Sequence, residues 1–230
     1  MRSTCWNARR LAQKCIAATE ASWLLPFDQD SQIDVGYVRA LTQSPALDDP
    51  QTAIVAPIVF EQAMSRVVQG HDEWSEPTEV RRVITSGALC RVAAIAAVGG
   101  VRTDLFIDYV DYDLCLRLRT GGWKMVVEPA ARMNHRIGEM SRHRLIGVFP
   151  VFTSNHSADR QYYKYRNYVL LARDGTLWRD PTSAVLDGAA LLWGPAKVLL
   201  FEGDRVAKLR AMAQGVRDGI RGRAGVRAPA

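Results

Sequence analysis

Asp28 and Asp30 stand one residue apart in Phe27-Asp28-Gln29-Asp30-Ser31, directly after the apolar run Trp23-Leu24-Leu25. Two carboxylates at this spacing, at the end of a strand, can hold a divalent cation against a diphosphate. Hard oxygen ligands suit Mg²⁺ or Mn²⁺ and leave positions open for phosphate oxygens. The pattern points to chemistry on a nucleotide-linked donor, against the plainer reading of a solvated acidic turn. An EF-hand loop is excluded, because counting from Asp28 places Gln32 at the fifth position and Ile33 where the loop requires glycine. A glycoside hydrolase would set its two carboxylates on either side of the scissile bond as an acid and a base. The close pair here favours a shared metal instead.

A second acidic segment runs Phe106-Ile107-Asp108-Tyr109-Val110-Asp111-Tyr112-Asp113-Leu114-Cys115-Leu116-Arg117-Leu118. Val110, Leu114 and Leu118 recur at helical spacing, Asp111 stands where an N-cap would, and Gly121-Gly122 end the helix. The positive end of the helix dipole favours the ionised form of Asp111, which suits a proton acceptor. Asp108 and Asp113 are the fallback candidates for that base. Asp113 and Arg117 also read as an i,i+4 pair on the helix surface.

Taken in order, Asp-Gln-Asp-Ser after a strand, Ile84-Thr85-Ser86-Gly87, the Asp111 segment and Asn134-His135-Arg136-Ile137-Gly138 closely resemble the family 2, GT-A glycosyltransferases. Within them the chain resembles the bacterial rhamnosyltransferases of O-antigen and cell-surface polysaccharide synthesis. Tyr162-Tyr163-Lys164-Tyr165-Arg166-Asn167 looks like that subgroup's C-terminal signature. The resemblance runs from about Trp23 to Arg173. It implies an inverting transfer of a sugar, L-rhamnose from dTDP-L-rhamnose, to a hydroxyl of a lipid-linked or polysaccharide acceptor. It also implies that Asp28 and Asp30 hold Mg²⁺ or Mn²⁺, that His135 contacts the diphosphate or the metal, and that Asp111 is the base. Ser86, Gly87 and Arg117 are assigned to substrate binding.

In such enzymes a nucleotide-binding βαβ portion precedes the Asp-x-Asp strand. Here 27 residues precede Asp28, and Asn7 to Ala21 reads as a single helix. The expectation is an N-terminally truncated GT-A domain. The rival reading is a catalytically inactive remnant that acts as a membrane- or partner-binding fragment.

Composition fits a cytoplasmic globular protein: 230 residues, 48% apolar and 23% charged, enough for a substantial core. Cys5, Cys15, Cys90 and Cys115 lie far apart and read as reduced thiols, and no uninterrupted apolar run marks a signal peptide. The stretch from Asp204 to Ala230 carries +5 of the total +6. Ala184 to Phe201 before it is mostly apolar but interrupted by Asp187, Gly194-Pro195 and Lys197. Gly-Pro is expected to kink this segment. An apolar stretch followed by a basic one fits peripheral contact with an anionic membrane, on the cytoplasmic face of the inner membrane. Nucleic acid is excluded as a partner, since no aromatics interleave with the arginines and no recognition motif is present.

Alternating patterns predict an α/β layered fold with a mixed, mostly parallel sheet flanked by helices. Strands are expected at Trp23 to Phe27, Ala53 to Phe60, Arg82 to Thr85 and Trp123 to Val127. Helices are expected at Ala8 to Ala21, Ile33 to Leu41, Leu89 to Val98, from Asp111, from Ser157 to Arg173 and from Ser183 onward. Pro57 predicts an edge or a bend, and His135 is expected in a loop. The divisions are a partial GT-A domain over 1–155, a helical extension over 156–203 and a basic tail over 204–230.

Overall fold

Thr-Ala-Ile-Val-Ala-Pro-Ile-Val-Phe-Glu is apolar on both strand faces, the pattern of a strand covered on both sides, and it forms the central strand β3 (Thr52–Glu61). Ile54, Ala56 and Ile58 pack on one face with Leu114, Cys115 and Leu118, while Val55 and Val59 pack on the other with Tyr37, Leu41 and Met133. The computed structural model describes residues 20–28, 31–61, 65–135, 141–145 and 149–227. Asp30, Cys5 and Cys15 lie outside the described residues. So does most of the helix expected from Ala8 to Ala21, of which only Glu20 and Ala21 are described, neither of them helical. The chain divides into one unit of residues 1–102 with 111–136 and a second of 103–110 with 137–230.

In the first unit, β1 (Trp23–Leu24), β2 (Gln32–Ile33), β3, β4 (Arg66–Gln69), β5 (Thr78–Val80), β6 (Leu89–Arg91) and β7 (Lys124–His135) form one sheet. Its order is β1-β6-β3-β7-β2, with β4 added to β3 and β5 to β7. Helices α1 (Tyr37–Thr42), α2 (Val92–Ala97) and α3 (Val110–Thr120) accompany it. The sheet is mixed, as expected, but among the described ladders only β3–β7 is parallel. The short flanking strands all add antiparallel, which lowers the parallel share below the expectation. Pro57 is central, not at an edge. It sits where the β3–β7 register shifts between Pro57 and Ile58, so its missing N–H falls at a bulge.

Three local expectations change. Leu89–Arg91 is drawn out of the Ala-rich helical pattern into β6 because both β1 and β3 pair with it. Arg82 to Thr85 carries no ladder and runs as a loop. The Ile33 helix begins only at Tyr37, after β2 and a Gly36 turn at φ 90°.

The second unit holds the hairpin β8 (Ser141–Leu145) and β9 (Phe149–Thr153) and the helices α4 (Ala158–Arg173), α5 (Pro181–Phe201) and α6 (Arg205–Ile220). Ser157 caps α4, accepting from the Arg160 N–H. The expected interruption at Gly194-Pro195 does not end α5. Pro195 cannot donate to the Leu191 carbonyl, and the Tyr165 hydroxyl of α4 donates to that oxygen instead at 2.5 Å.

Most of the expected basic tail is a packed helix among the described residues. It folds as α6, with Ala211, Met212, Gly215 and Gly219 buried, and Lys208 is paired with Glu202 at 2.9 Å. A Cβ on Gly215 would run into the Tyr162 carbonyl and the Arg166 amide of α4, so two backbones meet there. Gly→Ala in an open helix gains up to about 1 kcal/mol. Gly215→Ala is expected to do the opposite and cost about 1–3 kcal/mol as overpacking, read as a lower urea midpoint. A raised midpoint would mean that α4 and α6 do not approach as described.

Candidate active site

The Ile84-Thr85-Ser86-Gly87 loop of the first unit is tied down at every residue. The Ile84 N–H donates to Gln69 Oε1 at 2.5 Å, and the other end of that amide donates to the Pro57 carbonyl at 2.8 Å, so the β3 bulge holds the loop's start. Thr85 Oγ1 donates to Asp111 Oδ1 at 2.6 Å. Ser86 is buried; its Oγ accepts the Asp28 N–H at 2.9 Å and lies 2.8 Å from Ser31 Oγ. The Gly87 N–H donates to the Pro26 carbonyl at 2.7 Å, and the Tyr37 hydroxyl donates to the Gly87 carbonyl. Two adjacent loop residues therefore reach the two acidic motifs, 83 positions apart in sequence.

Asp28 is exposed at the exit of β1, while Asp111 is half-buried in the first turn of α3, just inside the expected N-cap position. His135 is not in a loop; it ends β7, paired with Glu61 of β3. It follows Asn134, which pairs with Gln32 of β2, so the strand leaving the Asp28 segment runs antiparallel to the one ending in His135. The ladder thus sets Gln32-Ile33, shortly after Asp28, beside the end of β7 that carries Asn134 and His135.

The fallback acids are engaged elsewhere. Asp113 is fully buried, and Arg117 donates to it from Nε at 2.8 Å and Nη2 at 2.6 Å, with Arg102 at 3.7 Å. The pair is internal and not on the helix surface. Arg117 Nη1 also donates to the Val98 carbonyl, at 2.5 Å, so this guanidinium, assigned to substrate binding from the sequence, braces α3. Removing one partner of a buried pair strands the other charge. Arg117→Met is expected to cost about 3 kcal/mol in urea unfolding, near the lower end of that range because Arg102 remains. An unchanged midpoint with a raised KM would restore the substrate-binding role. Asp108, in the second unit, is bridged by Arg160 at 3.2 Å.

Gly87 has φ +72°, and the space a side chain would fill is taken by Met133 Sδ and the Tyr37 hydroxyl. Glycine is required there by packing, which leaves Ser86 as the polar member of the expected pair. Cys90 and Cys115 are buried thiols whose pKa values burial pushes up, that of Cys115 to about 12. They are inert at neutral pH.

The loop that leads into α3 is strained, with Phe106, Asp108 and Tyr109 all at positive φ, near 61–66°. Within the second unit it is clamped by the Tyr162–Asn167 signature. Arg166 donates to the Asp104 and Leu105 carbonyls, Asn167 Nδ2 donates to those of Leu105, Ile107 and Asp108, and Phe106 packs on Tyr163 with centroids 4.7 Å apart. The signature thus holds the backbone that runs directly into Asp111. Gln69 and Tyr37 carry no signal in their type or local spacing, and Thr85 stood in the sequence only as a member of the 84–87 motif, with no role assigned to it.

No three His, Cys, Asp or Glu side chains gather as a metal site among the described residues. The donor chemistry nonetheless fits Mg²⁺ or Mn²⁺, ions commonly held by one or two carboxylates with phosphate oxygens and waters completing the shell. Asp28 offers one exposed carboxylate of this type.

No family model matches the chain. A dTDP-rhamnosyl transferase, RfbF of Shigella flexneri, is 30% identical over 167 residues, or 66% of this chain and 54% of that protein. The chain spans about half the length of this relative. A crystal structure of GalNAc-T7 with UDP, GalNAc and Mn²⁺ superposes with a TM-score of 0.52 at 12% identity, covering 94% of this chain and 42% of that one. The fold is of the GT-A glycosyltransferase type. That likeness fixes the architecture; the sequence relative is what carries the comparison toward sugar transfer.

Proposed function

We propose that the chain is the catalytic part of an inverting glycosyltransferase that moves L-rhamnose from dTDP-L-rhamnose to a hydroxyl of a lipid-linked or polysaccharide acceptor. The observation that carries this reading is the pair Thr85 and Ser86, hydrogen-bonded to Asp111 and to the Asp28 backbone respectively. One loop sets the base and the diphosphate-facing carboxylate in a common frame. The similarity to the Shigella dTDP-rhamnosyl transferase supports the choice of donor.

Asp28 and Asp30, with His135, would hold a divalent cation, which supplies positive charge where the departing diphosphate gains negative charge. Thr85 occupies Asp111 Oδ1, so Oδ2 is the atom that takes the acceptor proton. As the acceptor oxygen forms its bond to the anomeric carbon, the bond from that carbon to the diphosphate oxygen breaks. The electron pair leaves with the diphosphate, and the anomeric configuration inverts. The ordered hydroxyl of Thr85 orients the carboxylate without competing for the proton.

The acceptor and the place of action form part of the same proposal. The protein works at the cytoplasmic face of the inner membrane. α5 is long and apolar enough, by length and composition, to cross a membrane, and its apolar side chains are largely exposed. Asp187 and Lys197 within it favour a helix lying in the interface over one that spans. A donor screen with Mn²⁺ present, following release of the nucleoside diphosphate, tests the reading. Consumption of dTDP-L-rhamnose over UDP- and GDP-linked sugars supports it, and preference for another donor overturns the rhamnose assignment.

A further inference from the structure

The second unit contains a cavity of about 250 Å³ lined from α4 by Lys164 and Tyr165, from α5 by Gly194 and Lys197, and by Ser154 and His156 from the segment before α4. None of these residues serves the sugar-transfer chemistry. We propose that this cavity binds the terminal phosphate of an amphiphile whose apolar chain lies along the exposed face of α5.

Charge is the first reason. Lys164 and Lys197 bring two ammonium groups into one partly enclosed space, and neither takes part in the ion pairs or hydrogen bonds of the described residues. Glu202, the carboxylate of the lining, is already neutralised by Lys208 at 2.9 Å. Burial pulls the Lys164 pKa down; Asp108, the largest of the charges acting on it, opposes this together with Asp187, while Lys197 and Arg160 add to it. With Glu202 paired, the lining itself offers the two lysines no free carboxylate, and a phosphate dianion supplies that charge with charge-assisted hydrogen bonds. Burial and the neighbouring Arg160 hold His156 at a pKa of about 4, so at neutral pH it offers a neutral ring beside the two lysines.

The helix geometry is the second reason. At about 100° per residue, Val185, Leu186, Ala189, Leu192, Trp193, Ala196, Leu199 and Leu200 share one side of α5. Six of them are large and exposed, Leu192 at 84%. The opposite side, with Ala184, Leu191 and Val198, is buried. Lys197 lies on the border, one turn from both Trp193 and Leu200, so the apolar stripe begins where the cationic cavity opens. A charged head and an apolar tail joined in one molecule match that junction, whereas a free anion would leave the stripe uncovered.

The test measures binding directly, with no donor and no activity, so its outcome does not depend on the sugar-transfer reading. The probes are dodecyl phosphate below its micelle concentration, inorganic phosphate, a neutral dodecyl glycoside, and vesicles of phosphatidylglycerol, whose diester carries a single charge. Dodecyl phosphate should bind at least about tenfold more tightly than either inorganic phosphate or the neutral glycoside. Lys164→Gln and Lys197→Gln should each weaken it about tenfold. Leu192→Ser with Leu199→Ser, both at exposed positions, should erase its advantage over inorganic phosphate. Circular dichroism checks that each variant folds. Equal binding of the neutral glycoside, or indifference to both lysine changes, overturns the cavity assignment. Equal binding of inorganic phosphate overturns the amphiphile. If Lys164→Gln weakens the phosphatidylglycerol vesicles as much as dodecyl phosphate, the site reads any headgroup and the terminal-phosphate preference is overturned.

Discussion

Asp111→Asn lowers turnover about 10²-fold or more while leaving the apparent affinity for the donor nearly unchanged. The amide keeps the shape of the carboxylate, and its carbonyl oxygen can still accept from Thr85, so the first turn of α3 and the loop it meets persist. What is lost is the ability to take a proton as the acceptor oxygen attacks, and such general-base assistance is commonly worth 10²–10⁴-fold. Asp108→Asn and Asp113→Asn provide the contrast. The first removes an ion pair with Arg160 at the strained loop, and the second unpairs a buried Arg117, so both act through stability. A variant set in which Asp111→Asn turns over normally and Asp108→Asn is dead in folded protein would move the base by one motif position.

Asp28→Ala and Asp30→Ala each abolish Mn²⁺- or Mg²⁺-dependent transfer, and Asp28→Ala, at an exposed position, leaves stability within about 0.5 kcal/mol. The contact between this segment and the loop is made by the Asp28 N–H and Ser31 Oγ to Ser86, and the substitutions leave both groups in place. Stability and activity should therefore separate cleanly. Wild-type transfer that survives a chelator undiminished would remove the metal from the account.

The candidate acids were more legible in the sequence than the framework that holds them. Asp28 and Asp111 announce themselves by residue type beside an apolar run and a helical period, and both are hydrogen-bonded to the 84–87 loop. Thr85 was visible only as part of a motif, Ser86 was assigned to substrate binding, and Arg82 to Thr85 was expected to be a strand. The bonds of the 84–87 loop go to Gln69, Asp111 and Pro26, partners whose distance along the chain leaves no local trace. Arg117 shows the limit of spacing. An i,i+4 pair looks the same on a surface as in a core, and only the packing of α3 against β3 decides that Asp113 is buried. Charge counting made the last residues a tail, although Gly215 and Gly219 one turn apart were already the signature of two helices in close contact. Pro195 was expected to kink α5; the helix continues through it, and a hydroxyl from α4 donates to the carbonyl that the proline cannot serve.

The central claim is that one loop-bound pair of acids carries out an inverting sugar transfer, and the stereochemistry of the product tests it most directly. The protein, a nucleotide-linked rhamnose donor, Mn²⁺ and a hydroxyl acceptor are incubated together, and the anomeric configuration of the new glycoside is read from its one-bond carbon–proton coupling. The account predicts a product inverted relative to the donor, formed by the wild type and nearly absent with Asp111→Asn. A product of retained configuration, or undiminished formation by Asp111→Asn, would contradict it.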